Sequence, residues 1–149
     1  KKYQSDRRFF RATGSGESIN LEAARSQAML LAKQRLASAV QTQIKSVQEA
    51  YSSDRKAEAG TEFEQRFQNL TREVLNQIIV DVATIGDKTF QKTDKSYVAH
   101  VAIEARKKTT YKKLKEIAKQ KTTLSDKDKK YIEEMSAFIE CKNGYGTSF

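Results

Sequence analysis

Three groups of residues have types and spacings that could support chemistry. The first is Gly14-Ser15-Gly16, which lies between a strand-like run and a helix-like run. Backbone amides at a helix start bind anions, and glycines let a phosphate approach the main chain. A dinucleotide fingerprint, however, needs a third glycine where this chain has Ile19, and no Gly-Lys-Ser/Thr follows to make a P-loop. A nucleophile elbow separates its serine from each glycine by one residue, whereas Ser15 is flanked directly by both. Gly14 and Gly16 are therefore read as structural, forming a strand-to-helix turn that requires positive φ.

The second group is the scattered nucleophiles, acids and metal ligands. His100 is the sole histidine and has no cysteine or second histidine with which to share a metal. It reads as a polar-face or packed residue. Cys141 is the only cysteine, so it can form neither an internal disulfide nor a multi-cysteine metal site. Glu133 and Glu134 are adjacent on a helix-like run, so they point apart and make a poor acid/base pair. No Ser, Cys or Lys sits in a nucleophile motif. The expectation is a protein without catalytic, cofactor-binding or metal-ligating residues, that is, not an enzyme.

The third group is basic. The net charge is +9, and eleven Lys/Arg against three Asp/Glu fall between Arg106 and Lys130, leaving the rest nearly neutral. Lys108, Lys112, Lys115 and Lys119 recur at steps of four, three and four, which is one helix face. With Arg106 they form a candidate anion or partner surface. Such a stripe could neutralise phosphates, meet anionic head groups or lipopolysaccharide, or be the solvated back of a helix. Against nucleic acid, only Tyr111 and Tyr131 are near enough to stack bases, and no arginine beyond Arg106 is present to read base edges.

The elements that must position these residues follow from periodicity. Arg8 to Thr13 suits a short strand. Asn20 is a good helix N-cap, and Glu22 sits where the helix dipole favours an acid. Met29, Ala32, Leu36, Val40, Ile44, Val47 and Tyr51 then recur at spacings of three and four, predicting one long helix to about Tyr51. "SSDRKAEAG" reads as a loop. Thr61 and Glu64 make a capping box ahead of Phe63, Phe67, Leu70 and Val74, a second amphipathic helix ending near Gln77. "IIVDVATIG" and "SYVAHVAIEA" read as strands, with the turn in "DKTFQKTDKS" and strand character reaching Gln91. Tyr111, Leu114 and Ala118 mark a third helix. Ser125 and Asp128 cap a fourth, which carries Tyr131, Met135 and Phe138. "NGYGTSF" reads as frayed.

The order β-α-α-β-β-α-α segregates strands from helices, so an α+β fold is expected. It would hold a small antiparallel sheet of about three strands on a long helical hairpin, with a C-terminal helical segment. At 149 residues the chain suits a single domain, 1–149. Within it, 1–7 reads as an N-terminal extension, 8–105 as the α+β core, 106–140 as a basic helical segment and 141–149 as a tail. No internal repeat is visible. Hydrophobic residues at 38% and charged residues at 32% suit a globular chain, and no run approaches the roughly 20 apolar residues of a bilayer span.

"RATGSGES" and the helix after it resemble bacterial envelope proteins related to the twenty-kilodalton lipoprotein of Helicobacter. In those a Gly-x-Gly turn is followed by a helix carrying "AR..A...A", here Gly14, Gly16, Ala24, Arg25, Ala28 and Ala32. The N-terminal domain of a flagellar outer-ring protein has a similar arrangement, and the resemblance covers about Phe9 to Arg106. It implies a non-enzymatic outer-membrane or periplasmic lipoprotein acting in binding or assembly, with an anchoring lipidated cysteine upstream of Lys1. Its partner would be a protein or an anionic envelope component, and no cofactor is implied. The alternative is a nucleic-acid-binding module using the basic helix.

Arg25 carries one further expectation. At about 100° per residue it falls in the arc of Ala32 and Leu36. Either its stem lies along the core and its head pairs with Asp81 or Glu104, or helix drift brings it to the rim.

Overall fold

The computed structural model describes residues 2–55 and 61–143, and the side chains of 2–51 and 62–138. Seven elements follow in the order β1 (Phe9–Ser18), α1 (Leu21–Arg55), α2 (Thr61–Val80), β2 (Ala83–Thr93), β3 (Ser96–Arg106), α3 (Lys107–Gln120) and α4 (Asp126–Asn143). The fold is α+β, with a three-stranded antiparallel sheet in the order β1-β3-β2. The chain divides into two compact units, Lys1–Val40 with Ile79–Arg106, and Gln41–Ile78 with Lys107–Phe149.

In the first unit β3 is the central strand. The register sets Phe10 opposite Ala105, Ala12 opposite Ile103, Gly14 opposite Val101 and Gly16 opposite Ala99. Phe10, Ala12, Ala99, Val101 and Ile103 are buried on the packed face; on the other face His100 is exposed, whereas Ala102 is buried beside Gly86 and Tyr3. Ala24, Ala28, Ala32, Leu36 and Val40 form the buried stripe of α1 in this unit. The helix starts on Asn20, whose Oδ1 accepts from the Glu22 N–H at 2.9 Å and the Ala23 N–H at 3.4 Å.

Gly14-Ser15-Gly16 does not end the strand, contrary to the expected turn. β1 continues through it to Ser18, and neither glycine has positive φ. The glycines serve close approach instead. A Cβ added at Gly14 would overlap the Ala28 carbonyl oxygen and lie 2.6 Å from the Ala32 nitrogen. One at Gly16 would overlap the Ala24 carbonyl oxygen and lie 2.9 Å from the Ala28 nitrogen. With no side chain on the strand and alanine methyls on the helix, joined at Gly16 by the Cβ of Gln27, β1 and α1 meet nearly backbone to backbone.

The hairpin is also tighter than its polar sequence suggests. β2 runs to Thr93, so only Asp94 and Lys95 form the turn. The Thr93 and Ser96 hydroxyls are 3.0 Å apart, and the Lys95 N–H donates to Thr93 Oγ1 at 3.2 Å. β2 pairs with β3 from Ser96 to Glu104, with register shifts between Thr84 and Gly86 and between Gln91 and Thr93.

In the second unit, Ile44, Val47 and Tyr51 of α1 and Phe63, Phe67, Leu70, Val74 and Ile78 of α2 are buried. Here α2 runs through Ile78–Val80, which the β-branched composition assigns to a strand. Ile78 extends the four-residue stripe of α2 and is buried, whereas Val80 is 77% exposed, so helical rather than alternating burial decides the segment. Residues 52–55 continue α1 rather than opening a loop. The rest of that expected loop, the Thr61 side chain of the expected capping box, the Cys141 thiol and 144–149 of the expected frayed tail lie outside the described residues. Ser125 and Asp128 do form a reciprocal cap, Ser125 N–H to Asp128 Oδ2 at 3.3 Å and Asp128 N–H to Ser125 Oγ at 3.1 Å.

Candidate functional site

The lysine face is built on α3. Tyr111, Leu114, Ile117 and Ala118 are its buried apolar side, and that burial fixes which lysines point outward. Lys108, Lys112 and Lys119 are exposed and Lys115 is half-buried. At about 100° per residue the four fall within one narrow arc of the helix. Lys107, by contrast, is buried.

Part of the segment's charge is occupied by structure. Lys121 is paired with Glu73 of α2. Lys129 Nζ donates to the Lys119 carbonyl oxygen at 3.1 Å, where a cation suits the C-terminal end of α3. Asp128, besides its capping role, accepts from Arg66 Nη1 at 3.0 Å, and Arg66 also reaches Glu62 at 3.1 Å. Arg106, grouped with the lysines by sequence, belongs to the first unit. It ends β3, with its guanidinium carbon 5.6 Å from the centroid of the Phe9 ring.

The glycine segment offers no cradle on its packed side, because the space in front of Gly14 and Gly16 is filled by the α1 backbone. His100 lies on the opposite, exposed face and stacks on Phe90, with centroids 5.7 Å apart. Glu134 accepts a hydrogen bond from the Tyr51 hydroxyl at 2.7 Å. That hydroxyl belongs to an aromatic cluster in which the Tyr51 ring packs edge-on against Tyr131 and Phe138, and Tyr131 against Phe63. A groove of about 640 Å³ lies between α1 and α2, floored by Ile44 and Phe67, with Lys45, Gln48, Glu64 and Arg72 among its walls. Its chemistry is that of amides and mixed charge. Among the described residues no three His, Cys, Asp or Glu are placed to hold a metal ion, and no helix is long and apolar enough to cross a membrane.

The pairing of Arg25 with Asp81 or Glu104 does not form. Arg25 is 43% exposed at the rim, 3.6 Å from Glu22 and 4.0 Å from Asp87. Ala24 and Ala28 define the packed direction of α1, and Arg25 is turned about 100° from the first of them. Glu104 is engaged elsewhere, accepting from Arg11 Nε at 2.9 Å.

That Arg11 belongs to a network that sequence reasoning missed. Arg11 Nη1 also reaches Asp6 Oδ2 at 2.8 Å, and its guanidinium carbon is 5.0 Å from the Phe9 ring centroid. Asp6 Oδ1 accepts from the backbone N–H groups of Arg8 and Phe9, both at 2.8 Å. Those two bonds, aided by the Arg11 charge, hold the Asp6 carboxyl below its ordinary value. The hydrogen bond to Glu104 raises Arg11. The 93 residues separating Arg11 from Glu104 leave no local spacing to read. The only signal is that an arginine on β1 must face away from the packed side. No family model matches the chain, and a search of the curated proteins finds no match.

Proposed function

We propose that this chain is a non-enzymatic lipoprotein of the bacterial envelope that acts by binding or assembly. The observation that carries the reading is a convergence. Gly14, Gly16, Ala24, Ala28 and Ala32, the small residues behind the resemblance to envelope lipoproteins, meet in a single strand-to-helix contact. Residues scattered over nineteen positions thus serve one packing purpose, as a motif that defines a fold should. Arg25 stands outside that contact. On this reading the lysine face of α3 is the surface for an anionic envelope component, and the glycine segment is scaffold.

The experiment is metabolic labelling of the full-length gene product with a fatty-acid probe, followed by fractionation. A lipid-labelled band in the envelope fraction is expected. An unlabelled protein in the cytosol would remove the reading.

The exposure of Lys108, Lys112 and Lys119 on one arc also favours a second reading, a nucleic-acid-binding module. Titration against duplex DNA and anionic vesicles at rising salt separates the two. Weak, unselective binding that salt abolishes fits the envelope reading, whereas preference for one DNA sequence at moderate salt fits the second.

A further inference from the structure

We infer that the outer edge of β1 is a self-association edge for a second copy of this chain, held closed by residues 3–6. β1 pairs with β3 on one side only, and an unpaired edge of ten residues is an open template for another strand. Its outward backbone groups sit at alternate residues, identified by what they bind. The Phe9 N–H donates to Asp6 Oδ1 at 2.8 Å, and the Phe9 carbonyl accepts from the Asp6 N–H at 3.0 Å. The Arg11 N–H donates to Ser5 Oγ at 2.9 Å, while the same hydroxyl donates to the Arg11 carbonyl at 3.2 Å. The Thr13 carbonyl accepts from Arg35 Nη1 at 3.0 Å.

The segment before β1 therefore stands where a neighbouring strand would. It is tied down further along: Tyr3 lies over Gly86 on the exposed sheet face, where an added Cβ would meet its hydroxyl at 2.8 Å. Alternation places Ser15 and Glu17 on the same outward edge, and among the described residues their backbone groups receive no such guard.

Charge selects a second copy as the occupant. In an antiparallel β1–β1 pairing centred on Gly14, Arg11 lies opposite Glu17 of the second copy, and Thr13 opposite its Ser15. The two-fold axis repeats both pairs, so the Arg11–Glu17 contact forms twice across the interface, once for each arginine. Glycine at the centre puts no side chain in the way. In the closed state Asp6 takes the place of that carboxylate at Arg11, and Glu17 is held by Lys92 at 3.3 Å. Opening removes the Asp6 and Ser5 contacts, and with the Arg35 side chain turned off the Thr13 carbonyl the edge is free to form one sheet continuous across both copies.

The test is the full chain carrying Ser5→Ala and Asp6→Ala, measured by light scattering across a dilution series with circular dichroism as the check on folding. The expected result is a doubling of molar mass at concentrations where the unaltered chain is monomeric. Adding Ser15→Pro, which removes an outward N–H but no bond to β3, should restore the monomer. Glu17→Arg should weaken the dimer, since like charges would then face each other. A folded double variant that stays monomeric overturns the proposal, as does a dimer indifferent to Ser15→Pro. Should the double variant lose its fold, Ser5→Ala alone must dimerise, more weakly and with the same reversal by proline, and a folded monomer there overturns the proposal equally.

Discussion

The two halves of α1 solve the same packing problem in opposite ways. Up to Ala32 the buried positions are alanines, set against glycines of β1. From Leu36 onward they are Leu36, Val40, Ile44, Val47 and Tyr51. Burial of apolar area scales with side-chain size, so the second half gains more from transfer out of water. The first half gains little area per residue but fixes the helix at one distance and one register on the strand, because main-chain atoms have nowhere to move. Small residues specify here, and large ones stabilise.

The contrast is sharpest at Gly14. Gly14→Ala should cost at least about 3 kcal/mol, at the upper end of overpacking, because the new methyl meets the carbonyl and nitrogen of α1 rather than a movable side chain. Gly86→Ala is the control. Its methyl would meet mainly the far end of Tyr3, so a cost below about 1 kcal/mol is expected, through release of that ring. Denaturant melts of both variants decide the point. Equal losses would mean that the strand-to-helix contact is no tighter than an ordinary side-chain contact.

In the second half of the helix a change of one methylene should be graded. Ile44 is 2% exposed, and Ile44→Val should cost about 1 kcal/mol, the usual loss for one buried methylene. The same melts measure it. A loss as large as that at Gly14 would erase the distinction between specifying and stabilising positions.

Much of this architecture is legible in the chain because periodic burial is local. The stripe from Ala32 to Tyr51, the alternation around Val101 and the caps at Asn20 and Ser125 all read directly from spacing. Four features do not. Gly-Ser-Gly looks like a break because glycine in isolation disfavours a strand, and only the α1 backbone lying across it reverses that preference. Ile78–Val80 looks like a strand because β-branched composition carries no information about which positions are buried. The Asp6–Arg11–Glu104 network depends on the pairing of β1 with β3, a contact distant in sequence. The lysine face on α3 was legible from its spacing, but the use of Lys121 and Lys129 in structural contacts was not.

The segment preceding β1 gives a prediction in pH. Asp6, held below its ordinary value of 3.8 by the Arg8 and Phe9 amides, favours the folded arrangement when ionised. Its contribution is complete above the ordinary value and is lost as pH falls through the lowered folded value. The protection of the Arg8 and Phe9 N–H protons, measured by NMR against their intrinsic exchange rates at each pH, should therefore fall selectively in that acid range while the Gly14 amide in β1 stays protected. Loss of protection in both regions together would show that this segment and the α1-packed part of β1 open as one.

The smallest effect belongs to Arg25, and it tests whether the small-residue contact has a charged component. Arg25 sits one residue from Ala24, yet its guanidinium is at the rim, 4.0 Å from Asp87 and 3.6 Å from Glu22. Those carboxylates are 46% and 79% exposed. Solvent screens such pairs, and ordering two flexible side chains offsets most of the attraction. Arg25→Ala should therefore change stability by no more than about 0.5 kcal/mol, the range of an ordinary surface substitution. Alanine's higher helix propensity would recover part of even that. Thermal melts beside Lys45→Ala, an exposed position on the same helix, give the comparison. Indistinguishable midpoints would leave the methyls and the bare glycines as the whole of the contact. A loss several times that of the control would mean that Asp87 is drawn to Arg25 more closely in solution, and that β2 helps to position α1 through charge.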